Sequence, residues 1–163
     1  MLIRPIEPDE YARLGALTLT AYSGLPGYLR EPDYEEELYD VRSRAEAKST
    51  DVIVAIDDDG GLLGGVTFVV DGDSPYAEFD EPGASSIRML AVDPERQRSG
   101  AGRALVVECI DRARAASRSA IVLHSTPWMI GAHALYGQLG FVRDESLDWQ
   151  HSDIVLMGFR LTL

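Results

Sequence analysis

Residues 86–105 place a strand, a glycine-containing turn and the start of a helix directly after one another. The first half is the apolar run 87–92, whose composition is typical of a buried strand. Asp93-Pro94 ends that strand, since proline has no N–H to give to a neighbouring strand. The apolar residues then recur with helical spacing, at Ala101, Leu105, Val106, Cys109, Ile110 and Ala113. The segment therefore predicts a strand–turn–helix unit with one buried helix face.

Two glycines, Gly100 and Gly102, lie where this turn enters the helix. They leave the main chain uncovered, and the N–H groups of a first helical turn have no partner inside the helix. Such a site suits phosphate oxygens, although two glycines can also serve only to turn the chain tightly. The sequence has no GxxxxGK[ST] loop, and Leu105 stands where a dinucleotide-binding fingerprint needs its third glycine.

The pattern Gln97-x-x-Gly100-x-Gly102 after this strand resembles the coenzyme A loop of the GNAT superfamily of N-acetyltransferases. A second block, residues 132–141 (AHALYGQLGF), is similar to the other signature of that family, AxxLYxxxGF. Two blocks in this order are more specific than either one alone. The resemblance implies a single acetyltransferase domain over residues 1–163, with acetyl-CoA as co-substrate and no metal.

The resemblance also implies roles for individual residues. The Leu90 backbone N–H is expected to polarise the thioester carbonyl, and the strand through Ala91 and Val92 to pair with the pantetheine arm. Tyr136 matches the tyrosine that protonates the leaving thiolate, and its alternative role is packing alone. The pyrophosphate is expected on the loop, through main-chain amides and the arginine side chains: Gln97, Arg98, Ser99, Gly100, Ala101, Gly102 and Arg103.

The sequence departs from the family pattern at two positions. Ser86 stands where some relatives carry a glutamate that activates water, and a serine hydroxyl cannot deprotonate an ammonium group. A carboxylate from residues 71–81 then acts through water, or the amine loses its proton to solvent. Met129 replaces the asparagine found in many members, so one hydrogen bond to coenzyme A is expected to be missing.

The remaining segments predict the other elements of the domain. A short first strand is followed by a helix over residues 10–20 and by a second helix from Asp33, with a buried stripe of Tyr34, Leu38, Val41 and Ala45. Strands 51–56 and 62–70 flank three aspartates that we interpret as a solvated hairpin turn. Strand 121–125, helix 131–139 and strands 141–147 and 154–161 follow, with 149–153 as a connection. The prediction is a GNAT-like mixed α/β fold with a central, mostly antiparallel sheet and helices on both faces.

Composition limits the classes of partner. The 163 residues suit one domain, and the formal net charge of −12 repels nucleic acid and anionic membranes. No apolar run is long enough to span a bilayer, and the start of the chain does not read as a signal peptide. The single cysteine, Cys109, excludes an internal disulfide. We therefore expect a cytoplasmic protein that binds neither nucleic acid nor membrane.

The predicted activity is transfer of an acetyl group from acetyl-CoA to a primary amine of a small cationic molecule. Five acidic residues just before the central strand suggest the cationic acceptor: Asp71, Asp73, Glu78, Asp80 and Glu81. One alternative is acetylation of a protein lysine or N-terminus. Another is a non-catalytic acyl-CoA-binding module, which the serine at position 86 favours. The expected partner is thus a small-molecule amine, with a homodimer left open.

Overall fold

A computed structural model describes every residue from Met1 to Leu163. The strands are β1 (Leu2–Pro5), β2 (Thr50–Ile56), β3 (Leu62–Val69), β4 (Ala84–Val92), β5 (Ala120–Ser125), β6 (Val142–Arg143), β7 (Trp149–His151) and β8 (Ile154–Thr162). The helices are α1 (Tyr11–Ser23), α2 (Pro32–Tyr39), α3 (Val41–Ala45), α4 (Ala101–Ala115) and α5 (Ile130–Gln138). None of these helices combines the length and the apolar character needed to cross a membrane.

The strands form one open sheet in the order β1-β2-β3-β4-β5-β8-β6, and β7 pairs with the first three residues of β8, 154–156. Every neighbouring pair is antiparallel except β4 and β5, which run parallel. A parallel pair needs a crossover connection, and α4 supplies it. The predicted strand–turn–helix unit is therefore confirmed, and it lies at the centre of the sheet.

The two faces of the sheet carry separate cores because side chains alternate along a strand. Along β2, Ile53 and Ala55 pack in the larger core, which includes the buried face of α4. Val52 and Val54 point the other way and pack with Leu14 of α1 and with α3. The sheet thus has helices on both faces, as predicted.

The predicted second helix is interrupted at Asp40, which separates α2 from α3. The backbone of Asp40 has φ −76° and ψ 76°, and the Asp40 carboxylate accepts a hydrogen bond from the Ser43 N–H. Aspartate is favoured at the N-cap position because its short side chain accepts a hydrogen bond from a free N–H group in the first turn of a helix. The apolar stripe continues across the break, which is why periodicity alone predicted one helix.

The C-terminal part also differs from its prediction. The expected strand 141–147 is reduced to β6, followed by a 3-10 turn over Glu145–Leu147. The expected connection 149–153 contains β7, which forms a hairpin with β8. Ser152 adopts a φ of 52° at the turn of this hairpin. β7 is short and fully exposed, so its sequence carries no burial pattern.

Candidate active site

A gap opens in the sheet where β4 and β5 stop pairing. Their parallel register covers only residues 84–87 of β4 and 120–123 of β5. β4 nevertheless stays paired with β3 as far as Val92, and β5 with β8 as far as Ser125. One edge of β4 beyond Ile87 therefore faces no strand. Main-chain groups on such an edge are available to pair with an extended ligand.

A bulge in β4 changes the direction of the backbone at this gap. The register with β3 shifts between Gly65 and Thr67, so that Met89 and Leu90 have no paired residue. Met89 has a φ of 51°, which is uncommon for a residue other than glycine. Bulges bend a strand and reorient its groups, often beside active sites. The Leu90 backbone lies at this bend, and Ala91 and Val92 continue the free edge.

The loop between β4 and α4 has the main-chain geometry of an anion cradle. Gly100 precedes α4 with a φ of 86°, and Arg98 has a φ of 68°. The first hydrogen bond of the helix runs from the Ala104 N–H to the Gly100 carbonyl oxygen at 3.0 Å, so the N–H groups of Ala101, Gly102 and Arg103 have no partner in the helix. Only Ala101 finds another acceptor, a long contact of 3.4 Å to the Ser99 hydroxyl.

This loop suits a pyrophosphate in charge and in space. Arg98 and Arg103 are exposed and form no ion pair within the chain. A Cβ built on Gly102 would lie 3.5 Å from the nearest atom, a methyl group of Val92. The packing of the chain therefore does not require a glycine there, whereas the close approach of a ligand would. Gln97 lies at the start of the same loop, after the 3-10 turn Pro94–Arg96.

Tyr136 of α5 lies at the bottom of the gap. Its ring is 5% exposed and packs against Phe141 and Phe159, with ring centroids 5.7 and 6.2 Å away. Burial raises the pKa of its phenol, which keeps the hydroxyl protonated. The hydroxyl forms no hydrogen bond with another residue. The gap thus has the protonated hydroxyl group of Tyr136 at its base.

A cleft of about 260 Å³ continues from the gap toward α1 and α2; we call it the central cleft. It is lined by β4, β5, the α1–α2 loop and the β7–β8 hairpin. Its walls are largely apolar and include several aromatic side chains: Tyr22, Tyr28, Tyr34, Phe79, Trp128 and Trp149. Ser86 also lines it, is 4% exposed and has a hydroxyl without a hydrogen-bond partner. Small-molecule sites commonly combine such apolar walls with a few polar groups.

The charged groups of the central cleft are paired with one another. Arg88 of β4 binds Glu78 at 2.7 Å and Glu37 at 3.3 Å. At the rim, His151 contacts Glu31 at 2.9 Å. Three carboxylates thus face one guanidinium, and the cleft is acidic on balance.

Most of the acidic loop before β4 is also engaged within the chain. Asp71 contacts Arg118, Asp73 contacts Lys48, and Glu81 contacts Arg160. Together with Glu78, four of the five acidic residues 71–81 have a cationic partner, and only Glu78 among them lines the central cleft. The loop therefore contributes one carboxylate to the site rather than a cluster.

Sequence reasoning missed His124, Arg88 and the two tryptophans of the cleft. The ring Nε2 of His124 lies 2.8 Å from the Leu147 carbonyl oxygen, and Trp149 packs edge-on against it at 6.2 Å. The available signal was a histidine in the otherwise apolar strand 120–125. Its neighbours come from the 3-10 turn Glu145–Leu147 and from β7, and the sequence pattern predicted neither of these elements.

Comparison with known proteins identifies relatives of this arrangement. A family model described as "Acetyltransferase (GNAT) family" matches residues 17–141. No curated protein matches the sequence significantly.

Solved structures with the same fold share about a fifth of the residues. A ribosomal-protein-alanine N-acetyltransferase of Brucella melitensis is 19% identical, with a TM-score of 0.70 and 100% of both chains covered. An acetyltransferase of Salmonella typhimurium, solved with acetyl-CoA, is 21% identical, with a TM-score of 0.69 over 100% of this chain and 94% of that one. Spermidine N-acetyltransferase of Vibrio cholerae, in complex with CoA and spermine, is 19% identical, with a TM-score of 0.65 over 99% and 94%.

Proposed function

The chain belongs to the GNAT family of acetyltransferases, and we propose that it transfers the acetyl group of acetyl-CoA to the primary amine of a small cationic molecule. The observation that carries this proposal is the gap between β4 and β5. It brings a free strand edge beside Tyr136, and the start of α4 adjoins both, since a Cβ on Gly102 would lie 3.5 Å from Val92 and 3.7 Å from Leu135. Each of these groups suits one part of an acyl-CoA thioester.

In the proposed complex the main chain does most of the binding. The amides of residues 98–103, with the Arg98 and Arg103 side chains, hold the pyrophosphate, and Gln97 lies beside them. The free edge at Ala91 and Val92 pairs with the pantetheine arm. The Leu90 N–H then donates to the thioester carbonyl oxygen, where negative charge develops as the amine attacks. Such fixed donors lower the barrier because they need no reorganisation during the reaction.

In this reaction Tyr136 protonates the leaving sulfur. The new C–N bond forms as the C–S bond breaks, and the leaving sulfur needs a proton. The Tyr136 hydroxyl donates it, and the phenolate recovers a proton from solvent. A buried phenol whose pKa is raised remains protonated until the thiolate forms. The attacking amine must lose its own protons to a separate acceptor.

The central cleft favours a small cationic acceptor with an apolar body. Three carboxylates, Glu31, Glu37 and Glu78, outnumber the single guanidinium of Arg88. An acidic cleft raises the local concentration of ammonium compounds. The aromatic walls favour a flat or apolar group behind the amine.

Turnover of a panel of amines by the purified protein, followed as release of free thiol from acetyl-CoA, tests the proposal. We expect acetylation of primary monoamines with an apolar body, and kcat/KM should fall as salt rises. Acetylation of protein N-termini or lysines, with no small amine turned over, would favour the protein-acetylating alternative. Binding of acetyl-CoA without turnover of either class would favour a non-catalytic module.

Two matched variants test the cleft charge. Glu78 lines the central cleft, whereas Asp80, two residues further on, does not. Glu78→Gln should lower kcat/KM for a cationic amine by up to about 5-fold at low salt, because one partly exposed charge contributes ~0–1 kcal/mol. Asp80→Asn should leave kcat/KM unchanged. Equal effects of the two variants would contradict a role for cleft charge in acceptor binding.

A further inference from the structure

We propose that His124 is the general base that takes the proton from the acceptor ammonium group, because it lies on β5 beside the gap and combines a free ring nitrogen with a second nitrogen that binds the main chain rather than a charged group. The inference rests on the proposed function and adds a catalytic residue to it. Its basis is the hydrogen bonding of the titratable groups that line the cleft.

The reaction needs such a base on this side of the sheet. Aliphatic amines are mostly protonated near neutral pH, and an ammonium nitrogen has no lone pair with which to attack a thioester. Ser86, at the floor of the cleft, cannot accept the proton, since a serine hydroxyl is too weak a base. Along β4, Ser86 and Arg88 alternate with Ile87, which belongs to the α4-side core, so the acceptor face of the gap is the one toward α1 and α2.

The carboxylates of the cleft are already committed. Glu37 and Glu78 both bind the Arg88 guanidinium, at 3.3 and 2.7 Å. Glu31 is held by His151 at the rim. Each of these groups would have to give up an ion pair to accept a proton.

The other candidates are unsuitable for a different reason. Burial raises the pKa of Tyr22 and Tyr34, so their phenols stay protonated and cannot act as bases. The Tyr28 hydroxyl is bound to Glu35 at 2.9 Å. His133 does not line the cleft, and its Nε2 lies 3.1 Å from the Ser125 hydroxyl.

His151 also leaves its Nδ1 without a hydrogen bond, but it is half exposed at the rim and its Nε2 contacts Glu31, whereas His124 lies on β5 beside the gap. A carbonyl oxygen only accepts hydrogen bonds, so the Nε2 that lies 2.8 Å from the Leu147 oxygen carries the ring proton. Nδ1 then has its lone pair free, and it forms no hydrogen bond with the chain. The edge-on contact with Trp149 holds the ring plane. One tautomer with a free basic nitrogen is the state a general base requires.

The charges around His124 do not compete for this nitrogen. Asp148, the residue after Leu147, accepts hydrogen bonds from Arg143 and from the Gly158 N–H. Arg88 lies on the facing strand and is neutralised by its two glutamates. In the proposed step Nδ1 accepts one proton from the ammonium, directly or through one water, and the imidazolium later releases it to solvent. The second proton leaves the nitrogen once the C–N bond has formed and passes to solvent through water.

The test compares two amines of nearly the same shape. 2-Phenylethylamine is protonated at pH 7, whereas O-benzylhydroxylamine, with oxygen in place of one methylene group, is neutral and needs no base before attack. His124→Gln keeps an N–H that can donate to the Leu147 carbonyl but has no basic nitrogen. Its kcat/KM for 2-phenylethylamine should fall ~10²-fold or more, and for O-benzylhydroxylamine less than about 3-fold. His133→Gln, outside the cleft, is the matched control and should affect both amines equally.

Equal losses with the two amines would show that His124 has only a structural role, and the proposal would be overturned. A second measurement does not depend on any acceptor or on the folding of a variant. Nitrogen NMR of the histidine rings in the unmodified protein should show His124 protonated at Nε2 and bare at Nδ1 at neutral to alkaline pH. An Nδ1–H tautomer would also overturn the proposal.

The design separates this inference from the proposed function. If the unmodified protein binds acetyl-CoA but acetylates neither amine, the proposed acceptor class fails. If the unmodified protein acetylates both amines and the His124→Gln variant has the same kcat/KM for each of them, only the base assignment fails.

Discussion

Replacement of Gly102 by alanine should change protein stability and ligand affinity in opposite directions. Gly102 lies in the first turn of α4 with ordinary helical geometry. A Cβ there would contact Val92 at 3.5 Å and Leu135 at 3.7 Å, which are normal van der Waals distances. Alanine is therefore accommodated by the fold, and it removes the conformational entropy that glycine costs a helix. We expect a gain of up to ~1 kcal/mol in the free energy of unfolding.

The same methyl group should weaken the binding of acetyl-CoA. In the proposed complex it stands between the α4 amides and the pyrophosphate, and it displaces at least one hydrogen bond to a charged group. Such a bond contributes ~1.5–3 kcal/mol, so the Kd should rise roughly 10- to 150-fold. Thermal unfolding without ligand should show a Tm raised by up to about 2–4 °C.

Calorimetric titration with acetyl-CoA measures the affinity, and Gly137→Ala is the matched control. Gly137 is a helical, exposed glycine of α5 with no atom within 4 Å of its added Cβ. The Gly137→Ala variant should gain stability in the same way and keep the Kd of the unmodified protein for acetyl-CoA. Unchanged affinity in folded Gly102→Ala would refute the assignment of the α4 loop to the pyrophosphate.

Three further predictions concern catalysis and stability. Tyr136→Phe should lower kcat ~10²-fold with little change in the Kd for acetyl-CoA; an unaltered kcat, with chemistry rate-limiting, would exclude the general-acid role. Arg44 is 1% exposed and donates to the Glu37 and Leu38 carbonyls at the end of α2. Arg44→Ala should therefore lower the free energy of unfolding, measured in urea, by ~2–4 kcal/mol. A loss below about 1 kcal/mol would show that water replaces the guanidinium. The Arg143 hydrogen bond lowers the pKa of Asp148, so its contribution to stability is present above the ordinary carboxyl pKa and is lost as pH falls through the lowered value. Asp148→Asn should flatten the acid limb of a Tm–pH curve below about pH 4, and an unchanged limb would assign the acid sensitivity to other carboxylates.

The sequence alone was sufficient for the parts of the protein whose information is local. The strand, turn and helix of residues 86–105 lie consecutively, and their apolar periods and their proline and glycine positions describe the unit without reference to distant residues. The fold class followed from this unit and from the block around Tyr136. Both the family and the mixed, mostly antiparallel sheet are confirmed.

Local patterns failed where a single polar contact overrides a period. The stripe Tyr34, Leu38, Val41 and Ala45 is continuous on a helix, yet Asp40 caps a new helix within it. The three side chains of β7 are exposed, so its sequence has no burial pattern, and the segment was interpreted as a connection. Only its pairing with β8 makes β7 a strand.

Only the tertiary structure decided which charges and bases of the central cleft are free. The five acidic residues 71–81 look like a cluster in the sequence, but most of them bind cations that are far away along the chain, as Glu81 binds Arg160. His151 meets Glu31 across 120 positions, and the Leu147 carbonyl determines which nitrogen of His124 is bare. The strength of a base depends on its nearest charges and hydrogen bonds, and folding brings those from segments that no local pattern connects.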